Sequence, residues 1–245
     1  ETDKYIYDHY TVPYNVEVVY RWNQGDVSSD DMRKNLVPPR ESQVEPFLEM
    51  IEKVWVDTYT AEVGQQTLRS YIPKQILLVG SASYNDDGST TEGTAEGGRQ
   101  IVLYSVNDFN FELEQIQSYA HVMHHEFAHI LHQNVEYDAE FEKITPSYSS
   151  SWMQMNDETA RSKGFITAYA SSSADEDFAE MVSIMLTNSP EDWDNMIENA
   201  GNAAAVEALR KKEAIVVAYM KNNWGVNMKD FQKEVVAAIE AAVRN

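Results

Sequence analysis

Five of the six histidines lie within twelve consecutive residues, from His121 to His132 (HVMHHEFAHILH). Inside this stretch residues 125 to 129 read HEFAH, so that His125 and His129 stand four positions apart and Glu126 follows the first. Histidines at that spacing lie one turn apart on one face of a helix, where both imidazoles can bind a single Zn²⁺ ion. Glu126 is then placed to take a proton from a water molecule that the metal activates. The pattern is typical of zinc-dependent hydrolysis.

The histidine-rich stretch also has a simpler explanation, which is a solvated helix face that holds many histidines without binding a metal. We interpret His121, His124 and His132, which have no role in the motif, as imidazoles at the surface or behind the metal ligands. A third protein ligand distinguishes a metal site from such a surface, because two histidines leave a zinc site one ligand short.

The position of the third ligand defines the class of zinc site. The metzincin motif HExxHxxGxxH requires glycine at position 132 and histidine at position 135, where this chain has His132 and Val135. That class is therefore excluded, and the third ligand is expected among the acidic residues further along the chain. The candidates include Glu136, Asp138, Asp157, Glu158, Asp175, Glu176, Asp177 and Glu180.

Residues 171 to 186 (SSSADEDFAEMVSIML) combine an apolar helix face with two glutamates on the other side. Glu176 and Glu180 are one turn apart, so both can face the histidine helix. One can bind the metal, and the other can accept a hydrogen bond from the second ring nitrogen of a ligating histidine. Spacing alone does not decide between them. The apolar face consists of Phe178, Met181, Val182 and Met185.

Glu176 also fits a structural role at the start of this helix. Ser173 and Glu176 match a capping box, in which the carboxylate accepts a hydrogen bond from a backbone N–H. Asp175 and Asp177 are interpreted as favourable negative charges in the first helical turn. The histidine motif upstream favours the ligand role for Glu176.

The remaining pattern predicts the elements that position these residues. Strands are predicted at Val16 to Trp22, Ile76 to Val79 and Ile101 to Tyr104, and a helix from Ser42 to Thr58. The segment from Ser81 to Gly98 holds four of the ten glycines. We expect it to be a mobile solvated connection, and the alternative is the rim of an active site. From about residue 110 the chain reads as helical, including Ala203 to Lys221 and Met228 to Val243. The histidine helix itself has a continuous apolar face at Leu113, Ile116, Ala120, Met123, Phe127, Ile130 and Leu131, with Asn107, Asp108 or Asn110 as its cap.

These elements predict an α+β fold in a single domain over residues 1–245. Residues 1–134 form an α/β part with a small sheet and the histidine helix, and residues 135–245 form a mainly helical part. The strand from Gln100 to Ser105 leads into the histidine helix, so it is expected either at a sheet edge that pairs with an extended substrate or in the centre of the core.

Composition narrows the class of protein further. The 245 residues contain 19 Lys and Arg against 40 Asp and Glu, a formal net charge of −21 that disfavours binding to nucleic acid or anionic lipid. The chain has no cysteine, so any metal must be held by histidine and carboxylate. The longest apolar stretches are far shorter than the ~18 to 20 residues that span a bilayer. Long-range steering favours a cationic or neutral substrate over an acidic one.

The motif and the residues after it, Tyr169-x6-Glu176-x3-Glu180, resemble gluzincin metallopeptidases of the anthrax lethal factor type. The chain is more similar to the zinc-binding metallopeptidases of Bacteroidetes described as substrate import-associated zinc metallohydrolase lipoproteins. That resemblance covers most of the chain, including PYNVEVVYRW at 13 to 22, HHEFAHILHQ and GFITAYASSSADEDFAEM at 164 to 181. It implies a zincin-like fold with zinc ligands His125, His129 and Glu176, the general base Glu126, a tyrosine facing the substrate carbonyl at Tyr169, and an acid behind the ligands at Glu180.

The same resemblance implies a peptide or protein substrate and a place beside a nutrient-import complex. It implies an outer-membrane lipoprotein on the periplasmic or cell-surface side, with membrane contact only through a lipid anchor upstream of Glu1. A zincin-like module that binds peptides or glycopeptides for import without cleaving them is the alternative function.

Overall fold

The computed structural model describes residues 1–27, 34–86, 88–96 and 98–244, apart from the side chain of Glu96. The chain divides into two compact units. The first comprises Glu1–Phe127 with Ala238–Asn245, and the second comprises Ala128–Ala237. Each helix of the described residues is too short or too polar to cross a lipid bilayer.

The first unit contains a small mixed sheet. Its strands occur in the order β1 (Glu17–Val19), β2 (Gln75–Leu78), β6 (Gln100–Leu103) and β5 (Gly93–Glu96), while β3 (Ser83–Tyr84) and β4 (Thr90–Thr91) form a separate antiparallel pair. β1, β2 and β6 are parallel, and β5 runs antiparallel to β6. Residues 76–79 and 101–104 are almost completely buried, as expected for central strands that are covered on both faces. The three predicted strands are confirmed.

The substrate-pairing role considered for residues 100 to 105 is wrong. β6 pairs with β2 along one edge, with Gln75 opposite Gln100, and with β5 along the other, with Gly93 opposite Leu103. An extended peptide can join a sheet only at an edge whose N–H and C=O groups are unpaired. β6 is therefore a central core strand, which was the alternative expectation.

The described residues between Ser81 and Gly98 form three short strands that the glycine content did not predict. These are β3, β4 and β5, and β5 packs against the long helix α6 (Leu113–Asn134). A Cβ atom added at Gly93 would lie 2.5 Å from Val122 Cγ1 of α6, so the absence of a side chain at Gly93 permits this close approach. Ser118 of α6 donates a hydrogen bond to the carboxylate of Glu92 just before β5. The edge strand is thus held directly on the helix that carries the histidines.

Five α-helices among the described residues of the first unit precede the histidine helix. They are α1 (Thr2–Ile6), α2 (Val12–Tyr14), α3 (Glu41–Ile51), α4 (Asp57–Val63) and α5 (Gln65–Tyr71). A π-helical turn at Tyr7–Thr11 joins α1 to α2, and another at Glu52–Val56 joins α3 to α4. Residues 41–63 are therefore one continuous helix, which confirms the helix predicted from Ser42 to Thr58. Its predicted apolar residues Val44, Phe47, Leu48, Ile51, Val54 and Trp55 are all buried.

The second unit is helical. It contains α7 (Glu140–Ile144), α8 (Asp157–Ser162), α9 (Ala174–Thr187), α10 (Pro190–Glu198) and α11 (Ala203–Trp224), with 3₁₀ turns at Trp152–Gln154 and Tyr169–Ser172. Helices α6 and α12 (Met228–Ala242) each continue from one unit into the other. Phe178 of α9 lies in the core of this unit, stacked on Tyr137 at 4.5 Å and edge-on to Tyr219 at 5.0 Å between ring centroids. The predicted α+β class is confirmed.

Candidate metal centre

Helix α6 carries the HEFAH motif, and its apolar face sets the direction in which the histidines point. Phe127 packs edge-on against Trp55 and Tyr59, with ring centroids 5.8 and 4.5 Å apart. Residues of the predicted apolar face are buried from Ile116 onward, whereas Leu113 is half exposed. Because this packing fixes the rotation of the helix about its axis, the motif histidines are turned to a different side.

His125 and His129 lie one turn apart on this unbroken helix. His125 is buried, and the side chain of His129 is 16% exposed. One turn before them, the ring centroid of His121 lies 5.9 Å from that of His125. Glu126 follows His125 and is partly buried. The motif therefore presents one buried imidazole, together with an imidazole and a carboxylate that retain some access to solvent.

Glu176 is directed to the motif from the first turn of α9. Ser173 caps that helix by accepting a hydrogen bond from the Glu176 backbone N–H at 3.2 Å, which is one half of the predicted capping box. The Glu176 carboxylate extends to His129, with Oε2 at 3.0 Å from Nε2. Glu176 thus fits half of the expected capping box through its backbone N–H, while its side chain contacts a histidine of the motif.

Two sets of three side chains among the described residues can hold a metal ion, because their ligand atoms lie within 4.8 Å of one another. One consists of His125, His129 and Glu176, and the other of His121, His125 and Glu180. Two imidazole nitrogens and one carboxylate oxygen form the ligand set of many catalytic zinc sites. The chemistry of both sets therefore fits zinc.

Glu180 is a buried carboxylate with hydroxyl partners. It is 2% exposed, and it accepts hydrogen bonds from Thr167 Oγ1 at 2.9 Å and from Ser183 Oγ at 3.2 Å. Such partners compensate part of the cost of burying a charge and hold the carboxylate in one orientation. Glu180 is more deeply buried than Glu176, as expected for an acid that lies behind metal ligands.

His124 and His132 differ from each other in a way that the sequence did not indicate. His124 is completely buried, and its Nε2–H donates to Val54 O at 2.9 Å, so the interpretation as a surface or supporting imidazole is wrong for this residue. Burial lowers the pKa of His124 to about 4. His132 is also buried, but its Nε2 lies 2.9 Å from His129 Nδ1. Burial lowers the pKa of His132 below its usual value, although Asp175 opposes this effect.

Tyr169 lies in a 3₁₀ turn shortly before α9. Tyr169 is 37% exposed. Its ring packs edge-on against Trp152, with ring centroids 4.9 Å apart. The neighbouring Met153 is 68% exposed. Tyr169 is therefore held by an aromatic contact while its residue remains accessible to a solvent-borne molecule.

Asp177 lies in the first turn of α9, as expected, but it also has a buried partner that the sequence did not indicate. Asp177 and Lys212 of α11 are both fully buried and form an ion pair of 2.6 Å. Lys212 Nζ also donates to Gly164 O at 2.7 Å, and Tyr148 OH donates to Asp177 at 2.9 Å. Burial raises the pKa of Asp177 to about 6, against the opposing effect of Lys212. This pair fixes the first turn of α9, from which Glu176 extends.

Lys212 could have been found from its spacing in the sequence. It lies three residues after Leu209 and four before Val216, on the buried stripe of a predicted helix. A lysine on such a stripe indicates a buried cation with an acidic partner, because an unpaired buried charge is very costly.

The chain is similar to known proteins over most of its length. The sequence profile of the family described as "Putative zinc-binding metallo-peptidase" matches residues 1–229, and the chain belongs to this family. A solved structure described as a putative zinc-binding metallo-peptidase from Bacteroides caccae is similar over 98% of this chain and 92% of its own, with 33% identity and a TM-score of 0.84. No curated protein shows significant similarity.

Proposed function

We propose that the chain is a zinc-dependent metallopeptidase in which His125, His129 and Glu176 are the zinc ligands. The observation that carries this proposal is the 3.0 Å approach of Glu176 Oε2 to His129 Nε2, one helical turn from His125 in an HExxH motif. A histidine-rich surface without a metal does not require a carboxylate from another helix to converge on the motif. Membership of a family described as zinc-binding metallopeptidases supports the same function.

The residues around the ligands have complementary roles in this proposal. A bound zinc ion would act as a Lewis acid that lowers the pKa of water and polarises the scissile carbonyl. Glu126 accepts the proton of the attacking water and later delivers it to the leaving amine. Tyr169 donates a hydrogen bond to the oxyanion that develops on the carbonyl. Glu180 accepts a hydrogen bond from a ligating histidine and so fixes its orientation.

The outer edge of β5 is our candidate for binding the substrate backbone. β5 is the terminal strand of its sheet, so no other strand among the described residues pairs with that edge. An extended peptide can add to it through main-chain hydrogen bonds, independently of its side chains. Since Gly93 holds β5 against α6, a peptide on this strand would run beside the helix that carries the motif.

Peptide hydrolysis by the Glu126→Gln variant tests the chemistry. We expect the purified wild-type protein to bind zinc and to cleave members of an unbiased peptide library. Glu126→Gln should retain zinc but lose ~10²- to 10⁴-fold in turnover, because it cannot accept a proton. Glu114→Gln makes the same chemical change at an exposed position of α6 and should leave turnover unchanged.

Two results of that experiment would argue against the proposal. Equal turnover by the wild type and Glu126→Gln would remove Glu126 as the base. A wild-type protein that binds zinc and peptides but cleaves none would favour the alternative function, a binding module for peptides or glycopeptides.

We also propose that the protein acts as an outer-membrane lipoprotein associated with a nutrient-import complex. This proposal rests on the sequence resemblance to import-associated metallohydrolase lipoproteins. Labelling of the full-length protein with a radioactive fatty acid in its native host tests it, and a protein that stays unlabelled and leaves the membrane fraction in high salt would contradict it.

A further inference from the structure

We propose that His132 is a positioning residue that holds the ring of His129 in the orientation and tautomer that bind the metal. This inference rests on the proposed function, in which His129 is a zinc ligand. The two ring nitrogens of His129 face different partners. Nε2 lies 3.0 Å from Glu176 Oε2, and Nδ1 lies 2.9 Å from His132 Nε2.

The direction of these contacts assigns the roles of the two nitrogens. A ligating imidazole binds the metal through one nitrogen and carries a proton on the other, and that proton needs an acceptor. Nε2 of His129 faces Glu176, another proposed ligand, so Nε2 is the nitrogen that binds the metal. Nδ1 therefore carries the proton and donates it in a hydrogen bond to His132 Nε2.

The surroundings of His132 keep this acceptor in place. His132 follows His129 by three residues on α6, so the two side chains are neighbours on the same helix face. Its ring is buried and packs edge-on against Tyr137 and Phe178, with centroids 5.5 and 5.8 Å apart. A ring enclosed in this way loses little further freedom when it forms the hydrogen bond.

Histidine at position 132 has a property that the more common acceptors lack. Carboxylates and backbone carbonyls, the usual partners of ligating histidines, can only accept a hydrogen bond. A neutral imidazole accepts at Nε2 in one tautomer and donates from Nε2 in the other. Without a metal, His129 Nε2–H can donate to Glu176, and His132 Nε2–H can then donate to His129 Nδ1. With a metal on His129 Nε2, the proton is on His129 Nδ1, and His132 Nε2 can accept the hydrogen bond. His132 thus remains hydrogen-bonded to His129 in both states.

Zinc affinity of two variants at this position tests the inference. His132→Phe keeps a ring against Tyr137 and Phe178 but has no acceptor. His132→Gln can place an amide oxygen close to the position of Nε2 and can either accept or donate. In competition with a fluorescent zinc chelator, the Kd for zinc should rise ~10- to 100-fold in His132→Phe. It should stay within about threefold of wild type in His132→Gln, because that variant retains the hydrogen bond.

Nitrogen NMR of the zinc-loaded protein adds a measurement that packing changes alone do not affect. With ¹⁵N-labelled histidine, the wild type and His132→Gln should show His129 protonated at Nδ1 with slow exchange of that proton. In His132→Phe the proton should exchange rapidly with water. Identical ring-nitrogen shifts and proton exchange in the wild type and His132→Phe would overturn the inference, as would zinc binding of equal strength.

A third variant separates this inference from the proposed function. If His129→Ala loses zinc while His132→Phe binds it as tightly as the wild type, His129 is a ligand and only the role of His132 is wrong. If His129→Ala binds zinc as tightly as the wild type, His129 is not a ligand and both proposals fail. Should His132→Phe not fold, His132→Leu replaces it, because leucine also lacks the acceptor and has the same expected loss.

Discussion

Replacement of Lys212 by methionine tests how strongly the buried ion pair stabilises the second unit. Lys212 and Asp177 are both completely buried and 2.6 Å apart. In Lys212→Met, the methionine fills most of the space of the lysine side chain. Asp177 keeps its hydrogen bond from Tyr148 but loses the positive charge of Lys212. Gly164 O also loses the donor that Lys212 supplies. The main effect is therefore an uncompensated carboxylate in the interior.

The size of the effect follows from this geometry. Removing one partner of a buried ion pair typically destabilises a protein by about 3–5 kcal/mol. For a chain of this length, 1 kcal/mol corresponds to about 2–4 °C in Tm, so Lys212→Met should lower Tm by roughly 6–20 °C. The double variant Lys212→Met/Asp177→Leu removes both charges, and it should be more stable than Lys212→Met alone because no unpaired charge remains.

Thermal unfolding followed by circular dichroism, with a chelator present to remove the contribution of bound metal, measures these differences. Lys211→Met is the matched control, since Lys211 is the next residue on α11 and its ion pair with Glu207 is exposed on both sides. Its Tm should not change measurably, because exposed pairs contribute little. An unchanged Tm in Lys212→Met, or a double variant less stable than Lys212→Met, would refute the reasoning.

Three further predictions concern the motif helix and the proposed catalytic groups. Gly93→Ala should lower the free energy of unfolding by about 1–3 kcal/mol in urea titration, because its Cβ would lie 2.5 Å from Val122 Cγ1. Gly25→Ala is the control, since no atom lies within 4 Å of the new Cβ, and it should not be destabilised by steric contact. Tyr169→Phe should leave the Kd for zinc unchanged and lower kcat by about 10²-fold, because it removes only a hydrogen bond to the oxyanion, and an unchanged kcat would exclude that role. Glu180→Ala should bind zinc ~10- to 100-fold more weakly in chelator competition while keeping one ion per chain, and complete loss of zinc would instead make Glu180 a ligand.

The parts of the fold that depend on local pattern were predictable from the sequence. The apolar residues at helical spacing defined α6 and α9, and the spacing of Glu176 and Glu180 placed both carboxylates on one side of α9. These inferences need only the periodicity of one helix, because residues three and four apart always share a face.

The neighbours of each strand were not predictable in the same way. The strand at 101 to 104 was identified from its composition, but its position between β2 and β5 depends on pairing with residues that its own pattern does not contain. The edge strand β5 was not predicted, because its sequence does not have the alternation or the residue types of a strand. Gly93 has a low strand propensity, and its lack of a side chain instead permits close approach to α6.

Contacts between charged and polar groups distant in sequence were the least predictable. Asp177 and Lys212 are 35 positions apart, so the sequence indicated a first-turn charge at Asp177 but not its buried partner. His124 and His132 have the same residue type on the same helix, yet one donates to the Val54 carbonyl in the core and the other contacts His129. Only the packing around each ring separates these roles.

Anomalous X-ray diffraction at the zinc absorption edge tests the central claim most directly. Crystals grown with one equivalent of zinc should give a single strong anomalous difference peak between His125, His129 and Glu176. The peak should lie about 2.0–2.2 Å from the ligand atom of each residue. A peak bound instead by His121, His125 and Glu180, the other set of side chains that can hold a metal, would contradict the ligand assignment. So would the absence of any peak at the HEFAH motif.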